Sequence, residues 1–297
     1  MTSRKAPQIP PSPPIRPGAP VVVMAGGAGV PARKWAPVVA ELSDARAPDG
    51  GPYPYVIVDR PGLGRRRAWT FGDVPDFGDE VGRVVHDLRR CREEGASPVI
   101  LAVHSAAGFL AEGAVRANPG LVDGVLLIDV SVVEDAGRPS PVFEAVSHAT
   151  GLTLEPLVRW AWPRMRRGEL SSMLLENAVF SRWARDLRDL RAVDAAVGDA
   201  GGSGRVRAVT AVTDIFAVPK RRLRAGEDPA AVAAAARGRE AHLRVWGELA
   251  GGSRDGEDGP EVAILAPCPH MVMTHRPADV VAQISALVAR TSPRAPA

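Results

Sequence analysis

The 297-residue chain is 45% hydrophobic, 24% charged and 5% aromatic, with 30 glycines and 28 prolines. That is the composition of a globular protein with a sizeable core, not of a disordered or collagen-like chain, and no apolar run approaches the roughly 18 residues of a bilayer-spanning helix. Net charge is only +3, and the basic residues are mixed with acids in stretches such as RRCREE and RDLRDLR, whereas a nucleic-acid-binding face needs clustered basic residues with aromatics between them.

Met1 to Ala19 holds six prolines, which predicts a disordered, partly polyproline tail over residues 1–19. It has no apolar stretch of the length a secretory signal needs, so the cytoplasm is the expected location, with no membrane partner. Cys91 and Cys268 are the only cysteines, too few for a disulfide framework.

Ordered structure is expected from PVVVMAGGAG, where the apolar run Val21 to Val23 breaks into glycines, as a buried strand does before a tight turn. Trp35 to Leu42 has helical spacing. YPYVIVDRPGLG repeats the strand-then-glycine theme, and Asp79 to Arg92 is amphipathic at helical period. PVILAV is another strand and ends at HSAAG. A helix follows, stopped by Asn-Pro-Gly, and VDGVLLIDVS is a strand again. Strands this continuously apolar are buried on both faces, and their alternation with helices predicts an α/β fold, a doubly wound, mostly parallel sheet.

From Pro139 onward the strand signal vanishes, and it returns at Arg205 to Val212. Residues 139–203 therefore read as a helical cap inserted into one domain whose core comprises residues 20–138 and 204–291, with a short tail over 292–297. Trp160, Trp162 and Trp183 fall in the insertion, either as its core or as the lining of a substrate pocket beneath it. A last strand, PEVAILA, and a helix, ADVVAQISALVAR, close the chain.

In a doubly wound sheet ligands bind at the carboxyl ends of the strands. In LAVHSAAG, Ser105 directly follows a buried strand and directly precedes a helix. A tight turn there pushes the hydroxyl outward, and the helix N-terminus stabilises negative charge beside it. A serine hydroxyl needs a base, and His270 follows the last strand. A carboxylate must orient that imidazole, and Asp129 and Asp214 both stand at strand ends in the required chain order. The backbone amides of Ala106 and Gly27 are the expected oxyanion donors. Other roles are open to these residues: Ser105 as a helix N-cap, Gly26 and Gly27 as turn formers, His104 as packing beside the turn. No cluster has metal-ligand spacing, and GLGRRR lacks the Walker spacing of a phosphate loop, so neither metal nor cofactor is expected.

VVVMAGGAG with KWAPVVAEL, VIVDRPGLGRR, VHSAAG and PHMVMTHRPADVVAQI together resemble the α/β-hydrolases over roughly residues 20 to 290. The first loop is similar to that of bacterial members with an apolar residue, Ala and Gly in place of the common His-Gly. The resemblance implies Ser105 as nucleophile, His270 as base, and hydrolysis of an ester or related acyl bond of a small molecule, by a monomer or homodimer. It favours Asp129 as the acid, although many relatives place it where Asp214 stands. The family's Gly-x-Ser-x-Gly has Val103 and Ala107 at its glycine positions here. That departure supports a competing reading, a ligand-binding protein of the same fold with impaired catalysis. Acyl transfer and C–C bond hydrolysis are further options. Epoxide hydrolase chemistry needs an aspartate nucleophile at the turn, which Ser105 is not.

Overall fold

A computed structural model describes residues 9–58, 76–130, 183–193, 208–213, 245–249, 261–264 and 270–292. The apolar runs become strands β1 (Val21–Ala25), β2 (Tyr55–Ile57), β3 (Val99–His104), β4 (Gly124–Ile128), β5 (Ala208–Thr213) and β6 (Glu261–Ile264). They lie in the order β2-β1-β3-β4-β5-β6, and each neighbouring pair is parallel. Between them run α1 (Ala36–Asp44), entered through a 3-10 turn at Ala32–Trp35, α2 (Phe77–Glu93), α3 (Ala107–Ala117), the short α4 (Val272–His275) and α5 (Pro277–Thr291). Residues 183–193 and 245–249 are also helical.

Alternate strand residues supply two cores. Val23, Leu101, Val103 and Leu127 face α2 and α3, with Trp183 and Trp246 packed beside them. Met24, Ile100, Ala102 and Leu126 face α1, α4 and α5. Burial on both faces explains why these strands read as unbroken apolar runs, without the polar alternation of a half-exposed sheet. Helix ends follow elementary rules. The Asp76 side chain accepts the Asp79 amide at 2.7 Å, capping α2, whose first turn is acidic and last turn basic. Pro277 opens α5, where its missing N–H costs nothing.

Contrary to the sequence expectation of a disordered tail over residues 1–19, residues 9–19 are fastened to the domain. Ile9 packs on one core and Ile15 on the other. The Ser12 hydroxyl accepts the amide of Tyr55 on the edge strand β2 at 2.8 Å, and the Tyr55 hydroxyl donates to the Pro10 carbonyl. Arg16 reaches Asp49 at 2.8 Å and the Pro52 carbonyl at 3.1 Å. Prolines already restrict the unfolded chain, so ordering them costs less entropy than ordering most residues, and an edge strand needs partners for its outward groups. The expected cap over residues 139–203 lies outside the described residues except for 183–193. That helix is held to α3 by Glu112, whose buried carboxylate accepts Arg191 Nε at 2.6 Å and a second Arg191 nitrogen at 2.7 Å. Arg116 Nε adds a third bond to the same carboxylate at 2.8 Å. Two guanidinium groups beside Glu112 hold its carboxyl below the usual range against the opposing effect of burial, which taken singly is the largest influence on it.

Candidate active site

The ends of β3 and β4 lie side by side at the carboxyl edge of the sheet. β3 ends at His104, and Ser105 follows with φ of 55°, while β4 ends at Ile128 and Asp129 follows with φ of 49°. Left-handed backbone is uncommon for residues other than glycine, and these two are its only non-glycine cases among the described residues. The turn is held by the Ser105 amide donating to the Ile128 carbonyl at 3.1 Å and by Gly108 N–H returning to the Ser105 carbonyl at 3.0 Å. Val103, which replaces a glycine of the family pattern, is still inside β3, in register with Ala25 and Leu127 and fully buried. The sharp bend falls on Ser105 itself, so the valine is accommodated as an ordinary core residue. Ala107 is likewise buried, as the first residue of α3. Gly108 allows the helix to lie against Val130: a Cβ there would stand 2.8 Å from the Val130 Cβ.

The side chains form a continuous hydrogen-bonded chain. Asp129, 1% exposed, faces His270 Nδ1 at 2.6 Å through Oδ2. On the other side of the ring, Nε2 lies 3.1 Å from Ser105 Oγ. His270 comes from the turn that begins α4, where its carbonyl accepts the Val272 amide at 2.9 Å. These residues lie up to 165 positions apart in sequence. Because a carboxylate only accepts, the Nδ1 proton points at Asp129. Nε2 of the neutral ring is then free to accept from the serine.

Gly27 lies against this constellation. A Cβ on it would stand 2.5 Å from Ser105 Cβ and 3.0 Å from Oγ. The glycine is therefore needed for close approach of the turn after β1 to the serine. Ala106, fully buried, occupies the N-cap position of α3, where no side chain caps the helix.

His104 was expected as packing beside the turn. It is fully buried, with its ring centroid 4.5 Å from that of His270 and its Nε2 2.9 Å from the His270 carbonyl oxygen. Burial above all, and then the neighbouring His270, push its pKa down to about 4. No sequence pattern pairs His104 with a carbonyl 166 positions away; adjacency to Ser105 is the one hint. Of the tryptophans, Trp183 is fully buried and packs on Phe77 of α2, ring centroids 6.5 Å apart. Trp160, Trp162, Asp214 and Cys268 lie outside the described residues. Among the described residues no group of His, Cys, Asp and Glu could hold a metal ion, and no helix is long and apolar enough to cross a membrane.

A parallel sheet covered on both faces, with a serine, a histidine and an aspartate joined at its carboxyl edge, defines a class of fold. The chain belongs to the alpha/beta hydrolase family, whose model matches residues 22–284. No curated protein matches it by sequence. Among solved structures it is similar to a putative epoxide hydrolase from Pseudomonas aeruginosa, at 16% identity, with 93% of this chain and 92% of that one covered and a TM-score of 0.54. It is also similar to a lipase-esterase related protein from Clostridium acetobutylicum, at 12% identity over 90% and 94% of the two chains and a TM-score of 0.50. The epoxide hydrolase CorEH matches at 15% identity over 92% of both chains, with a TM-score of 0.52. At these identities the likeness is one of fold.

Proposed function

We propose that this protein is a serine hydrolase that cleaves an ester or related acyl bond of a small molecule through an acyl-enzyme. The observation that carries the reading is the unbroken chain from Ser105 Oγ through both ring nitrogens of His270 to Asp129. Asp129, rather than Asp214, is the acid in this account. It holds the imidazole in the Nδ1–H tautomer and stabilises the cation that forms. His270 Nε2 takes the Ser105 proton as Oγ bonds to the substrate carbonyl carbon. The carbonyl oxygen then carries the negative charge, facing the Gly27 and Ala106 amides, and each such donor is typically worth about 2.7–4 kcal/mol in the transition state. Collapse of the tetrahedral intermediate breaks the bond to the leaving group, which receives the proton from His270. Water, deprotonated by the same imidazole, attacks the acyl group and releases the acid and the serine. No cofactor enters these steps. Residues 139–203 would form a cap that shapes the acyl and leaving-group pockets.

The reading of an inactive binding protein rested on Val103 and Ala107. Both are ordinary core residues with no left-handed backbone, so neither counts against a working turn. The similarity in fold to epoxide hydrolases does not carry their chemistry to this chain, because the residue at the bend is a serine. The test is turnover of short p-nitrophenyl esters: the wild-type protein should hydrolyse them and Ser105→Ala should not. Equal rates in the two would overturn the assignment.

A further inference from the structure

We propose that His104 is a positioning residue for His270, holding its backbone carbonyl through Nε2–H while its ring lies beside the imidazole that receives the Ser105 proton. The proposal rests on the hydrolase reading above and adds a residue to it. A carbonyl oxygen can only accept, so the 2.9 Å contact requires the proton on His104 Nε2. The other nitrogen must then be bare, and His104 Nδ1 is indeed buried without a hydrogen-bond partner among the described residues. A bare, buried ring nitrogen costs stability.

What the arrangement achieves is a fixed base. The His270 side chain is 46% exposed, so packing alone does not immobilise it. Its carbonyl is gripped from two sides, by His104 at the end of β3 and by the Val272 amide at the start of α4. The first grip ties the loop that carries the base to the residue adjacent to the nucleophile, so the two reacting groups share one rigid frame. The rings then meet at 4.5 Å, tilted by 44°. At that distance a second cation would repel the imidazolium, and a neutral ring does not. Two titratable groups stand near His104 on the flanking elements described: His270 against its ring, and Asp129, which follows its register partner Ile128 on β4. Burial holds the His104 ring below its ordinary pKa and so favours its neutral form.

Two substitutions separate anchoring from mere packing. His104→Phe keeps an aromatic face and removes the donor; His104→Gln keeps a donor amide and removes the ring. With an ester turned over by the wild type, His104→Phe should lower kcat about 10- to 100-fold with little change in KM, the scale expected when a catalytic group is misplaced by about an ångström. His104→Gln should recover at least part of the lost kcat. An unchanged kcat in a folded His104→Phe, or a loss that His104→Gln does not recover at all, would overturn the proposal. A measurement on the wild-type protein stands independently of how the variants fold. Long-range nitrogen–proton NMR of the histidine rings should show His104 neutral with its proton on Nε2 down to about pH 5, and a charged ring or the Nδ1–H tautomer overturns the proposal. Failure of the hydrolase reading looks different: a fluorophosphonate then leaves the wild-type protein unlabelled, whatever the tautomer of His104.

Discussion

Adding one methyl group at Gly27 tests the geometry of the site more sharply than removing a catalytic side chain. Gly27 has no left-handed φ, so alanine fits its backbone, and the whole effect must come from contact. The new Cβ would meet Ser105 Cβ at 2.5 Å, the His104 carbonyl oxygen at 2.9 Å and Ser105 Oγ at 3.0 Å. Carbon atoms in contact ordinarily sit about 3.5–4.0 Å apart, so roughly an ångström of separation must be found. His104 is fully buried and β3 is locked between β1 and β4, which leaves the turn after β1 to move. That movement displaces the Gly27 amide from the oxyanion and crowds the hydroxyl. Loss of one such donor costs about 10²–10³ in kcat, and an ångström of misplacement costs a comparable factor. Gly27→Ala should therefore lose at least about 10²-fold in kcat on a p-nitrophenyl ester while retaining a cooperative thermal transition. Gly120→Ala is the control: its φ of +84° is strained for alanine, but no atom lies within 4 Å, so it should lose stability without losing activity. A Gly27→Ala protein with wild-type kcat would refute both the close approach and the oxyanion role.

Asp129→Asn preserves size and tolerates the left-handed φ of 49°, yet its amide can donate to His270 Nδ1 and favour the wrong tautomer; kcat should fall by about 10⁴, as the same exchange does in a serine protease, and a small loss would return the acid's role to Asp214. Acid stability should carry the mark of His104. Its folded pKa of about 4 lies below the ordinary 6.5, so the unfolded chain binds the extra proton first and stability falls as pH drops from 7 towards 4. Denaturant titrations should show the wild type losing about 2 kcal/mol more than His104→Phe between pH 7 and 5, and parallel curves would contradict a buried neutral ring. Arg191→Ala removes two hydrogen bonds to the buried Glu112 carboxylate and leaves the Arg116 bond at 2.8 Å; hydrogen bonds to a charged group are worth about 1.5–3 kcal/mol, seen as a lowered denaturant midpoint, and an unchanged midpoint would show the helix at 183–193 is not held this way.

The strands were legible because both faces of each are buried: Val21 to Val23 and PVILAV carry no polar alternation, and only a sheet covered on both sides needs that. The position of Ser105 was legible for a related reason, since a strand that runs straight into a helix leaves one residue to make the bend. The acid was legible only as a preference for Asp129. Asp129 and Asp214 both follow strands in the sequence, and no local pattern shows that the left-handed residue after β4 carries the Asp129 carboxylate to 2.6 Å from His270. The N-terminal segment was misjudged because proline content is a local property, whereas Ser12 on Tyr55 and Arg16 on Asp49 are contacts made across 33 to 43 positions. His104 hid in the same way, its partner being a backbone oxygen.

The central claim is that the Ser105 hydroxyl is activated by His270. Treatment of the wild-type protein with a tagged fluorophosphonate, followed by peptide mass spectrometry, tests it most directly. The account predicts one stoichiometric phosphonyl adduct on the peptide containing Ser105, formed far more slowly when His270 is replaced by alanine. An adduct on another residue, or none at all, would contradict it.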